Sequence, residues 1–136
     1  DIRRDQPCGI FCFSQIPVAT CEANDVFARA YVRWLEIQYA IAFIRDQLHA
    51  LPGGTARVPV GAYAPERFAV ALTEGLRGEV CHVALTDAQG RFARYKVVDP
   101  SFHNWTGLAY ALRNQEISDF PICNKSFNLS YCGHDL

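Results

Sequence analysis

An α+β fold is what the sequence predicts: a long amphipathic helix and two or three shorter helices packed with a β-hairpin or small antiparallel sheet. Three observations carry that reading. Phe27, Ala30, Trp34, Ile37, Ile41, Ile44, Leu48 and Leu51 recur at steps of three and four, the spacing that lines one face of a helix. Two runs rich in Val, Phe and Tyr, 79–86 and 91–98, flank Asp87-Ala88-Gln89-Gly90, which is turn chemistry between strand formers. Finally, Trp105, Leu108, Ala109 and Leu112 share one face of a shorter helical segment.

The elements follow in order. Residues 1–22 mix Pro7, Gly9 and Pro17 with short apolar runs and read as irregular. Asn24 or Asp25 is placed to accept backbone N–H bonds at the start of the long helix. Pro52-Gly53-Gly54 closes that helix, since proline cannot continue the ladder and glycine accepts cap geometry. Val26, Val32, Tyr39 and Phe43 lie off the seam, so this helix is expected to sit between neighbours. Residues 55–63 read as a loop or short strand, and 65–73 as a short second helix with Pro65 at an early position. After the hairpin, Asp99-Pro100 marks its end and Asn104-Trp105 opens the next helix. Residues 119–129 begin helical, and 130–136 loosen into an irregular tail. There is no internal repeat and no low-complexity stretch.

Composition bounds the function. At 136 residues with 50% hydrophobic, the chain can bury one modest core, as a single domain or a piece of a larger one. The net charge of -1, with thirteen dispersed basic residues, gives no electrostatic case for nucleic acid. Arg33, Glu36, Arg45 and Asp46 interrupt the most hydrophobic segment, so no run reaches the roughly eighteen apolar residues that span a bilayer. Methionine is absent, which leads us to expect an upstream half beyond residue 1.

The six cysteines, Cys8, Cys12, Cys21, Cys81, Cys123 and Cys132, would suit three disulfides in a secreted miniprotein. A chain with a long helix and this much apolar residue does not need stapling, and reduced thiols packed among apolar neighbours are the expectation. Cys8 and Cys12 form a Cys-x-x-x-Cys open to a redox reading, although the following Phe13 argues for packing. Cys21, Cys81 and Cys123 are expected as buried thiols.

Particular residues then suggest a family. Asp1-Ile2-Arg3-Arg4-Asp5-Gln6-Pro7, Asp25-Val26-Phe27-Ala28-Arg29, Val32-Arg33 with Glu36, Ile44-Arg45 and Leu51-Pro52 occur in that order. Glu74 with Arg77-Gly78-Glu79, then Tyr95-Lys96-Val97, Ser101-Phe102-His103-Asn104-Trp105 and Ser118-Asp119-Phe120-Pro121 follow. Together they resemble the C-terminal part of [NiFe]-hydrogenase large subunits of the membrane-bound, formate-hydrogenlyase type (hydrogenase III) and the quinone-site core subunit of respiratory complex I. The resemblance covers nearly the whole chain. It implies a fragment, 1–136, of the large subunit of a membrane-associated oxidoreductase complex.

In such hydrogenases two Cys-x-x-Cys pairs hold nickel and iron, because thiolates are soft, charged ligands that can bridge the metals. Aligning Ser118-Asp119-Phe120-Pro121 with the family pattern brings the C-terminal pair onto Ser130 and Gly133, with Cys132 one position from a ligand slot. A serine hydroxyl is not ionised near neutral pH and glycine offers no side chain, so no metal is expected. Cys132 with His134 is the weak candidate for a rebuilt site, since thiolate and imidazole both bind zinc; nickel and iron would enter only through such rebuilding. No cofactor is otherwise expected in this segment.

The resemblance turns Arg77-Gly78 toward a buried site between subunits. Arg77, Glu79 and His103 are the catalytic candidates, with His82 a further histidine able to move protons at neutral pH. The alternative for Arg77-Gly78-Glu79 is a strand-entry turn, with Gly78 at an unusual backbone angle and Arg77 solvated. For His82 and His103 it is simple hydrogen bonding.

The function implied is electron transfer to a quinone-like acceptor without a nickel site, the segment alone being inactive. The alternatives are a non-catalytic scaffolding subunit that binds an iron–sulfur partner, and a true [NiFe]-hydrogenase. The partners implied are an iron–sulfur small subunit, carrying its clusters, and other subunits of the assembly. Membrane association would be indirect, on the cytoplasmic, inner face. The isolated segment is expected to self-associate through apolar faces that the missing half would cover.

Overall fold

In the computed structural model, which describes residues 1–136, the seam at steps of three and four is helical as expected. The helices are α1 (Ile2–Asp5), α2 (Val26–His49), α3 (Ser101–Ala111), α4 (Phe120–Phe127) and α5 (Tyr131–His134). The strands are β1 (Phe68–Gly75), β2 (Gly78–Thr86) and β3 (Phe92–Val98), and short 3-10 turns occupy Gly9–Phe13 and Ile117–Asp119. Five helices and a three-stranded antiparallel sheet make the α+β class a finding. The chain divides into two compact units, one of residues 1–16 and 63–136, the other of residues 17–62.

The 17–62 unit is built on α2. Asp25 is the cap residue, its carboxylate accepting from the Ala28 N–H at 2.7 Å, which satisfies one of the donors a helix start leaves free. The helix ends at Ala50, directly before Leu51-Pro52. Phe27, Trp34, Ile37, Ile41, Ile44 and Leu48 along the seam are exposed, and Ala28 is the helix's buried residue. Nothing else in this unit is regular structure, so the unit itself holds no second face to cover the seam.

In the other unit the sheet has the order β1-β2-β3. Residues 65–73, expected as a short helix, are a correction: Phe68–Gly75 is a strand paired antiparallel with β2, Phe68 opposite Leu85 and Gly75 opposite Gly78. The cause is visible in the sequence, where Phe68, Val70 and Leu72 alternate with Ala69, Ala71 and Thr73 at the strand period of two. The hairpin of β2 and β3 stands as expected, with an irregularity between Leu85 and Thr86. Asp87 closes the turn by accepting from the N–H groups of Gln89 at 2.8 Å and Arg91 at 2.9 Å.

Two helix boundaries also differ from expectation. α3 starts at Ser101, before Asn104: Pro100 at its cap already has helical angles, φ -60° and ψ -20°, and the Asp99 carboxylate accepts from the Ser101 N–H at 2.8 Å. The tail expected to loosen after residue 129 makes a further turn, α5, with Ser130 at its cap.

The core of this unit lies where α3 meets α4 and α5. Leu108 is 1% exposed and Ser101 0%; Pro100, Cys123, Ser126, Leu129 and Gly133 are also buried. All six thiols are free, but Cys8, Cys12, Cys21 and Cys132 are exposed, Cys81 is half-buried and Cys123 alone is buried. The expectation of thiols packed away therefore fails for four of them, among them Cys21. Cys8 precedes the Gly9–Phe13 turn and Cys12 lies within it, where apolar neighbours such as Ile10 and Phe13 are themselves exposed. No helix is long and apolar enough to cross a membrane.

Candidate functional site

Ser130 and Gly133, the two residues that the resemblance would set on ligand positions, meet at the junction of the α3 start with α5. Ser130 donates its N–H to the Ser101 hydroxyl at 2.9 Å, and its own hydroxyl accepts from the Gly133 N–H at 2.9 Å. Ser101 in turn donates its N–H to Asp99. Gly133 closes the ring sterically: a Cβ at this residue would lie 2.5 Å from the Asp99 Cγ and 2.8 Å from each carboxylate oxygen. Gly133 is not one of the glycines with positive φ, so the approach of Asp99, and not backbone conformation, is what calls for glycine there.

Arg77 reaches the same region from the β1–β2 turn. Its Nε donates to the carbonyl of Asn128, and its own carbonyl accepts from the Asn104 side-chain amide at 2.9 Å. Asn128 is the left-handed cap of α4 at φ 52°, a conformation asparagine tolerates better than most side chains. Gly78 takes φ 126°, and a Cβ there would meet the Pro100 ring at 3.3 Å. The turn thus has the unusual backbone angle foreseen for it, while Arg77 is half-buried and ties the turn to the end of α4.

Glu79 and His103 stand apart from this network. Glu79 is exposed on β2, opposite Glu74, whose carboxylate accepts from the Ile2 N–H at 3.0 Å. His103 is exposed, edge-on to Phe102 at 5.4 Å. His82 pairs its Nδ1 with the Tyr95 hydroxyl at 2.7 Å. Beside the ring, Trp105 packs against Tyr131 at 5.2 Å and His134 at 6.1 Å. Its indole N–H is buried without a partner, and a buried donor left unpaired costs about 1–3 kcal/mol.

These residues do not fit a nickel–iron centre. Position 133 has no side chain and no room for one, and the Ser130 hydroxyl is engaged by a backbone donor. Cys132 is exposed, and the His134 ring lies against Phe102 at 5.5 Å with its Nδ1 3.3 Å from the Asp135 carboxylate. The residues of this network that sequence reasoning did not single out as site candidates are Asp99, Ser101, Asn104 and Asn128. Asp99-Pro100-Ser101 does carry the composition of a helix start, but the same residues also read as the end of the hairpin.

Comparison with known proteins supplies the family of this α+β unit, in which the Arg-Gly turn, the α3 start and the C-terminal turn converge. Residues 55–135 match the family described as the respiratory-chain NADH dehydrogenase, 49 Kd subunit, and the chain belongs to this family. Among similar proteins, the carbon monoxide-induced hydrogenase of Rhodospirillum rubrum is 32% identical over 94% of this chain and 36% of its own length. Formate hydrogenlyase subunit 5 of Escherichia coli is 31% identical over 96% of this chain and 23% of its own. An NADH-quinone oxidoreductase subunit of Herpetosiphon aurantiacus is 28% identical over 95% of this chain and 36% of its own. The chain therefore spans about a third or less of these relatives. A chain in the structure of the membrane-bound sulfane sulfur reductase, an archaeal respiratory membrane complex, shares the fold with a TM-score of 0.86 at 21% identity, over 100% of this chain and 39% of that one.

Proposed function

We propose that this chain is part of the large subunit of a membrane-associated oxidoreductase complex, and that the intact subunit passes electrons to a quinone-like acceptor without a nickel site. The observation that carries the reading is the junction itself: the two positions aligned with the thiolate pair are a capping serine and a glycine closed off by Asp99. Neither supplies the soft, charged donor that nickel requires. The relatives named as hydrogenase and as NADH-quinone oxidoreductase subunits support an electron-transfer setting. In this reading the intact subunit assembles with an iron–sulfur small subunit whose clusters deliver the electrons. It lies peripherally on the cytoplasmic side of the membrane, held there by its partners.

Arg77, Glu79 and His103 keep different standing within the proposal. Arg77 orders the floor of the junction, while Glu79 and His103 are exposed groups whose partners would come from elsewhere in the assembly. The test is reduction of a soluble quinone analogue by the complex purified with its full-length subunit and supplied with a low-potential electron donor. Turnover that falls with Arg77→Ala supports the reading. An assembled complex that transfers no electrons to any quinone analogue would replace it with the scaffolding alternative.

A further inference from the structure

The junction that carries the proposed function is closed by one contact, between Asp99 and Gly133. Asp99 and Gly133 are complementary in size: the carboxylate occupies the volume that any side chain at position 133 needs, with the Asp99 Cγ 2.5 Å from the site of a Cβ. A clash with the tip of a long, free side chain would be relieved by a small rotation. Asp99 lacks that freedom, because its side chain is short and its Oδ1 is held at 2.8 Å by the Ser101 N–H. Turning it away would break the bond at the head of α3. Ser101 also anchors α5 by accepting from the Ser130 N–H at 2.9 Å, and it is fully buried, so a disturbance there passes directly to the C-terminal turn.

We propose that Asp99 is the specificity-determining residue of this junction: it closes position 133 to every side chain, a cysteine included, and with Ser101 and Ser130 braces the C-terminal turn by hydrogen bonds where a thiolate–metal bridge would otherwise hold it. Restoring a thiolate at position 133 therefore requires that Asp99 be shortened as well. The inference rests on the part of that reading that sets position 133 on a family cysteine, while its steric core comes from the junction and survives if the quinone acceptor does not.

The experiment is a double-mutant cycle in the full-length subunit, read by thermal unfolding and by hydrogen exchange at the Ser101 amide. Gly133→Ala is expected to lower the unfolding midpoint by about 2–8 °C and to speed exchange at Ser101, since overpacking typically costs 1–3 kcal/mol. In the Asp99→Ala background the same Gly133→Ala change is expected to cost less than half as much and to leave Ser101 exchange unaltered. If Gly133→Ala does not fold while Asp99→Ala/Gly133→Ala does, the proposal is supported equally. Absence of rescue, seen as equal losses in both backgrounds or as failure of both Gly133→Ala variants to fold, overturns it.

Discussion

Ser101 shows how much a single buried hydroxyl can organise. It is 0% exposed, its N–H goes to Asp99, and its oxygen receives the N–H of Ser130. Replacing it by alanine keeps the helix start but strands a part-buried backbone donor. A destabilisation of about 1–3 kcal/mol is expected for Ser101→Ala, measurable as a lower denaturant midpoint of the full-length subunit. A change within error would show that water satisfies the Ser130 N–H. At this scale the sequence was only partly legible. Ser130 and Gly133 could be named from the alignment of Ser118-Asp119-Phe120-Pro121, because a missing thiolate is a fact of residue type. Asp99 could not, because its role depends on a carboxylate in sequence position 99 lying against a backbone carbon 34 positions later, and no local pattern records such an approach.

At the scale of elements, local signals succeeded where one chemistry dominated. Asp25 before an uninterrupted seam, and Asp87 to Gly90 between strand formers, each point one way, and α2 and the β2–β3 hairpin formed there. The 65–73 segment offered two signals, an early proline and a period of two, and the pairing with β2 decided between them: a strand gains a ladder of hydrogen bonds that an isolated short helix would lack. The hairpin turn also carries a pH dependence. The Asp87 carboxyl is held below its ordinary value of 3.8, first by the Arg91 N–H, with burial opposing and the Gln89 N–H and Arg91 side chain assisting. A folded-state value below the unfolded one means that the turn's contribution is present above the unfolded pKa and is lost as pH falls through the folded pKa. Amide shifts of Gln89 and Arg91, followed by NMR through an acid titration, are therefore expected to move together with a midpoint below 3.8. A midpoint at or above that value would mean the turn does not hold the carboxylate.

For the molecule as a whole, the fold class was readable from periodicity and turn chemistry, and the family from the order of weak motifs, since collinear blocks constrain one another even when each alone is common. The sequence led us to expect apolar faces left open on the long helix, but not on the first strand, which was read as a helix. Phe68, Val70 and Leu72 on β1 are exposed, as are Trp34, Ile41 and Leu48 on α2. Periodicity reports which side chains share a face; it is silent about what covers that face. The central claim, that the C-terminal turn is tied by hydrogen bonds and closed to a metal-bridging thiolate, is tested most directly by elemental analysis of the complex purified, with its full-length subunit, from nickel-replete cells. The account predicts no stoichiometric nickel, with any iron accounted for by the clusters of the proposed iron–sulfur partner. One nickel per large subunit, with Ser130 or Cys132 in its coordination sphere, would contradict it.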